Sequence, residues 1–147
     1  MNFLLREPTE TLFVYLPSAY LRRVNEPLAI LLSSRGLIAT QLGERLEALR
    51  YRKMVIAEPL QLRPTAEAEH AMIVFADLEG NEEAVAAAVQ LLRTDPGTAH
   101  IPAIGFRREM NEGAQNALIS RGFTVVVSES AILNHLPQLL DRALDIH

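Results

Sequence analysis

Cysteine is missing from the sequence, and disulfides, thiol catalysis and Cys-based zinc sites go with it. Lysine and arginine never gather into a basic run. The 14 basic residues stand against 18 acidic ones for a net charge of −4, so the electrostatic footprint of a nucleic-acid binder is missing as well. No apolar stretch approaches the roughly 20 residues needed to span a bilayer, and the opening Met-Asn-Phe-Leu-Leu-Arg-Glu meets charge too early for a signal peptide. Internal repeats and low-complexity tracts are absent. A cytoplasmic protein that binds neither membrane nor nucleic acid is the expectation.

What is present suffices for one core. A chain of 147 residues, 49% hydrophobic and 22% charged, fills a single domain and is short for two. Its organising stretch is Met72-Ile-Val-Phe-Ala-Asp-Leu-Glu-Gly-Asn81. Met72 to Ala76 is continuously apolar and rich in strand formers, which reads as a central strand covered on both faces. Asp77 closes it, at the carboxyl end where open α/β sheets gather their ligands and chemistry.

Around that strand the chain alternates. Leu28–Leu32 reads as a first strand, followed by Ser33-Ser34-Arg35 and a helix over about Leu37–Tyr51 with an apolar stripe at helical spacing. Lys53–Ala57 reads as a second strand, and a short helix opened by Pro64-Thr65 leads to the Asp77 strand. Asn81 is placed to cap a third helix running to Arg93, with Glu82 and Glu83 in its first turn. Ile101–Phe106, Asn111–Arg121 with Gly122 after it, and Thr124–Val127 give strand, helix, strand. A last helix is expected over Asn134–Leu144, with Pro137 tolerable only in its first turn. Five strands alternating with helices predict an α/β/α three-layer sandwich over residues 28–147. Residues 1–27 fall outside this pattern. Leu12-Phe-Val-Tyr-Leu16 and Pro17–Val24 are an added strand and helix or a docking arm, the latter suggested by Phe13, Tyr15 and Tyr20.

Several constellations point to little chemistry. His70, His100, His135 and His147 are scattered without metal-ligand spacing. Ser33-Ser34-Arg35-Gly36 precedes a helix but lacks the glycines and lysine of a phosphate loop, so a capping serine is expected there. Glu82 and Glu83 are adjacent and diverge on a helix, which makes them a poor acid–base pair.

The phrase Leu91-Leu-Arg-Thr-Asp-Pro-Gly-Thr-Ala-His-Ile-Pro-Ala-Ile104 and the run Ala117-Leu-Ile-Ser-Arg-Gly122 resemble junctions of the receiver domain of two-component response regulators. This resemblance covers about Leu28 to Leu144. It implies a flavodoxin-like, CheY-like fold with a parallel sheet in the order 2-1-3-4-5. It also implies a site in which an aspartate at the end of strand three accepts a phosphoryl group from a histidine kinase, assisted by Mg²⁺.

Asp77 stands at the phosphoacceptor position. The other positions depart from the pattern. The acidic pair after strand one is Ser33 and Ser34, the switch Ser/Thr after strand four is Arg107, the lysine after strand five is Glu129, and the aromatic switch position is Val126. A carboxylate attacking an anionic phosphoryl group needs its charge neutralised by a metal held on several oxygens. With one carboxylate left, Mg²⁺ binding is expected to be weak or absent. Asp77 is then expected to take an arginine as its counter-ion, Arg107 or Arg35, and an Asp77–Arg107 pair extended to Glu129 is the arrangement anticipated.

The resulting expectation is a non-catalytic, degenerate pseudo-receiver. It would signal through protein–protein contact, with a histidine kinase or another regulatory protein as partner, or through a homodimer. Because the sequence stops just after the last helix, such a signal is expected to leave through the surface. A phosphoacceptor at Asp77 with an atypical metal site remains the alternative. A ligand-binding domain using the crevice between strands one and three is disfavoured by the missing glycine-rich loop.

Overall fold

The computed structural model describes residues 26–145. The segments Leu12–Leu16 and Pro17–Val24, and His147, lie outside the described residues. The elements run β1 (Leu28–Leu32), α1 (Gly36–Ala48), β2 (Arg52–Ile56), a 3₁₀ turn (Pro59–Gln61), α2 (Leu62–Ala68), β3 (Ile73–Asp77), α3 (Glu82–Thr94), β4 (Ala103–Arg107), α4 (Glu112–Ser120), β5 (Val125–Ser128), α5 (Glu129–Asn134) and α6 (Leu136–Leu144). All neighbouring strands are parallel, in the order β2-β1-β3-β4-β5. This is the expected flavodoxin-like sandwich.

Strand alternation divides the core in two. Leu28, Ile30 and Leu32 of β1, Val74 and Ala76 of β3, and Ala103 of β4 pack against α2, α3 and α4 through Leu62, Val85, Val89, Leu92 and Leu118. The alternate residues, Ala29 and Leu31, Ile73 and Phe75, Ile104 and Phe106, face α1, α5 and α6 through Ile38, Leu42, Leu46, Ile132, Leu136 and Leu140. Every residue of β1 and β3 is buried, which is why both read as unbroken apolar runs rather than alternating ones. The edge strand β2 alternates half-buried and exposed residues.

Several expected boundaries move. Helix α1 ends at Ala48 rather than Tyr51, because Leu49 is its cap and Arg50 takes a left-handed φ of 72°. The last helix is expected from Asn134, with no element between it and β5; instead Glu129–Asn134 is a helix of its own, capped by Ser128, whose hydroxyl accepts from the Ala131 N–H. His135 then separates it from α6, which holds Pro137 in its first turn as anticipated. Asn81 occupies the cap of α3 without a side-chain capping bond, whereas Asn111 caps α4 by accepting from the Ala114 N–H at 2.8 Å. Gly122 follows α4 at a φ of +120°, and a Cβ there would meet Arg93 at 2.8 Å. No helix among the described residues is long and apolar enough to cross a membrane.

Arg93 fastens the sheet end opposite Asp77. Its Nε donates to the Gly122 carbonyl at 2.8 Å and its Nη1 to those of Ile101 and Ala99 at 2.6 and 3.2 Å, joining α3 to the start of β4 and the turn before β5. Burial lowers its pKa, and no carboxylate is among these partners. Arg93→Met is expected to lower stability by about 2 kcal/mol, the scale of hydrogen bonds to a charged donor. It would appear as a lower urea midpoint at unchanged m-value.

Candidate functional site

The carboxyl ends of β1, β3 and β5 bring three ionic side chains together. Asp77 is the last residue of β3 and its side chain is only 2% exposed. A buried carboxylate needs partners for each of its lone pairs, and this one has four. Oδ2 accepts from the Ser33 hydroxyl and from Arg35 Nε, both at 2.8 Å. Oδ1 accepts from Arg35 Nη2 at 2.8 Å and from the Glu79 N–H at 3.0 Å. Arg35 therefore meets Asp77 edge to edge with two parallel bonds, the strongest form of this pair.

The remaining edge of the guanidinium faces Glu129, the first residue of α5, with Nη1 3.0 Å from Oε1. That contact is an ion pair without hydrogen-bond alignment, since Oε1 is buried with no bonding partner. The hydrogen bonds to Asp77 raise the Arg35 pKa further above its already high value, against the opposing effect of burial. The guanidinium stays charged at any pH at which the protein is folded.

Local backbone geometry delivers these groups. Ser33 N–H bonds the Ile56 carbonyl at 2.9 Å, and the Ser33 hydroxyl accepts from the Arg35 N–H at 3.1 Å while donating to Asp77. This small turn aims Arg35 back over the strand ends. Arg35 itself occupies the cap position of α1, with no side-chain capping bond. The expectation of a capping serine is thus corrected: Ser33 spends its hydroxyl on Asp77. Ser34 is exposed. It lines a cavity of about 30 Å³ with Ser33, Asp77, Glu79 and Asn81, room for one water molecule.

The anticipated Asp77–Arg107 pair does not form. Arg107 Nη1 bonds Glu82 Oε1 at 2.6 Å and its Nε bonds the Glu109 carbonyl at 2.8 Å. Strand parity explains this. Asp77 continues the Ile73–Phe75 face toward α1 and α5 and lies in register with Phe106, while Arg107 follows Ala103 and Gly105 toward α3. The extension to Glu129 is present, but Arg35 makes it. Val126 is buried among the residues facing α4, its carbonyl taking Gln115 Nε2 at 2.8 Å. Lysine has no part at the site, since the sequence's one lysine, Lys53, pairs with Glu47 on the outer edge of the sheet. Glu82 and Glu83 diverge to Arg107 and Arg121. His70, His100 and His135 are exposed on separate elements, and among the described residues no group of three His, Cys, Asp or Glu is placed to hold a metal ion.

Comparison with known proteins agrees with this architecture. No protein-family model matches the sequence, and no curated protein matches it. Solved structures do. A response regulator from Chloroflexus aurantiacus superposes with a TM-score of 0.73 at 13% identity, over 83% of this chain and all (100%) of that one. A response regulator from Thermotoga maritima gives 0.71 at 11% identity, over 82% and 99% of the two chains. The fold is that of a response-regulator receiver domain. A third structure, the receiver domain of a sensor histidine kinase from Pseudomonas aeruginosa, gives 0.70 at 16% identity over 82% and 99%, and holds a magnesium ion in its active-site cleft. On this receiver fold the present chain sets Arg35 against Asp77.

Removing one partner of a buried pair strands the other charge. Arg35→Met is expected to cost about 3 kcal/mol, and adding Asp77→Asn to it recovers part of that loss. Arg107→Gln removes only a half-exposed pair and is expected to stay within about 1 kcal/mol of the parent. Urea unfolding of the variants checks the order.

Proposed function

We propose that this chain is a receiver-like signalling module in which phosphoryl chemistry has been replaced by a permanent ion pair, and that it acts through protein–protein contact. The saturated Asp77 carboxylate carries this reading. A phosphoacceptor must present a free oxygen lone pair to the incoming phosphorus, and all four acceptor directions of Asp77 are used by Ser33, Arg35 and Glu79.

The same crowding bears on the metal. Mg²⁺ requires near-octahedral oxygen ligands and usually more than one carboxylate to offset its dehydration. Glu129 is engaged by Arg35, Ser33 and Ser34 are neutral, and the guanidinium already neutralises Asp77. The residues present do not fit a divalent ion. Phosphoryl transfer from a kinase histidine to Asp77 therefore has no metal to neutralise the incoming phosphoryl oxygens, and the module is read as non-catalytic. Partners of this module would be proteins of a signalling pathway, a histidine kinase among them, recognising the shape of the surface rather than a phosphoryl group.

Incubating the full chain with Mg²⁺ and acetyl phosphate, followed by intact mass measurement, tests the reading. No added phosphoryl mass is expected. A phosphoryl adduct that disappears in Asp77→Asn would instead make Asp77 an acceptor with an atypical metal arrangement.

A further inference from the structure

Helix α5 is six residues long and is strung between two arginines from the α1 side of the molecule. At its first residue Arg35 Nη1 stands 3.0 Å from Glu129 Oε1, and near its last Arg45 Nε donates to the Leu133 carbonyl at 2.9 Å. The two ties differ in kind. Arg45 makes an aligned hydrogen bond. The Arg35 tie relies on charge, because Glu129 Oε1 is buried without an aligned donor, an arrangement that leaves a desolvated acceptor short of its partner.

The far end of α5 is a one-residue joint. His135, at φ −129° and ψ 32°, serves as the last cap of α5 and the first of α6. Beside that joint lies an apolar groove of about 220 Å³, lined by Ala48, Leu49, Leu133, Leu136, Pro137 and Arg45. The first turn of α5, capped by Ser128 and backed by the buried Ile132, is thus tied to Arg35 by one ionic contact, while the last is pinned next to open space.

The guanidinium that provides the contact is shared. Nε and Nη2 are committed to Asp77 and Nη1 to Glu129. Because the group is rigid and planar, it cannot turn toward one carboxylate without leaving the other. Two carboxylates on different elements, the end of β3 and the start of α5, that compete for one cation are energetically coupled without touching, and such coupling acts equally in both directions.

We propose that α5 is a movable element whose first turn is set by the way Asp77 holds Arg35, so that the charge at the end of β3 is transmitted to the surface around Glu129–Asn134 through a single guanidinium. This rests on reading the chain as a module that signals by contact, and supplies the surface that changes. Its test uses no phosphodonor, so its failure is separate from a failure of that reading.

The measurement is amide NMR on the full chain. Asp77→Asn removes one of the two anions while keeping the side-chain shape, and is expected to shift the amides of residues 129–132. In an Arg35→Met background the same substitution is expected to leave those amides where Arg35→Met alone puts them. From the other end, Glu129→Gln is expected to shift the Glu79 amide, which bonds Asp77 Oδ1. The proposal is overturned if Asp77→Asn moves α5 equally with and without Arg35, or does not move it. It is also overturned if Glu129→Gln leaves the Glu79 amide in place. Should Asp77→Asn fail to fold, Glu129→Gln, at a half-exposed position, decides alone.

Discussion

The pairing of Arg35 with Asp77 is the constraint from which the rest of the site follows. A carboxylate buried this deeply is tolerable only when its charge is matched and its lone pairs are filled, and Arg35 does both with one planar group while Ser33 and the Glu79 N–H complete the set. A lysine would bring the charge without the two parallel bonds. The sheet makes the pairing possible. Parallel strands β1, β3 and β5 end at the same rim, and the turn at Ser33 folds the chain so that the residue two positions on reaches across to β3.

Much of the fold was legible in the sequence because burial on both faces leaves a simple mark. Leu28–Leu32 and Ile73–Asp77 are fully buried, so their composition alone separated them from the helices, and Asn111 and Gly122 marked the two ends of α4 through capping and left-handed geometry. Helix α5 was missed because its six residues hold too few apolar positions to show a period. Its start was nevertheless marked by Ser128 followed at once by an acid, the usual sign of a capped first turn.

The site was half legible. The lone aspartate and its need for an arginine could be argued from charge, but the choice between Arg107 and Arg35 depended on which face each presents. Parity contained the answer: Asp77 shares its face with Phe75, and Arg107 shares its own with Ala103, so the two diverge although their strands are neighbours. The role of Ser33 was not readable in this way, since a serine before a helix more often caps it, and only the backbone turn shows its hydroxyl aimed at Asp77. On the receiver fold this places a single guanidinium between Asp77 and Glu129 at the carboxyl rim of the sheet.

The direct test of a carboxylate already filled by arginine is a magnesium titration of the full chain into the millimolar range, followed at the backbone amides of Ser33, Arg35 and Glu79. With Arg35 seated on Asp77, these amides are expected to show no saturable displacement. Saturable shifts that vanish in Asp77→Asn would mean that the metal displaces the guanidinium, and would contradict the ion pair as the resident partner of Asp77.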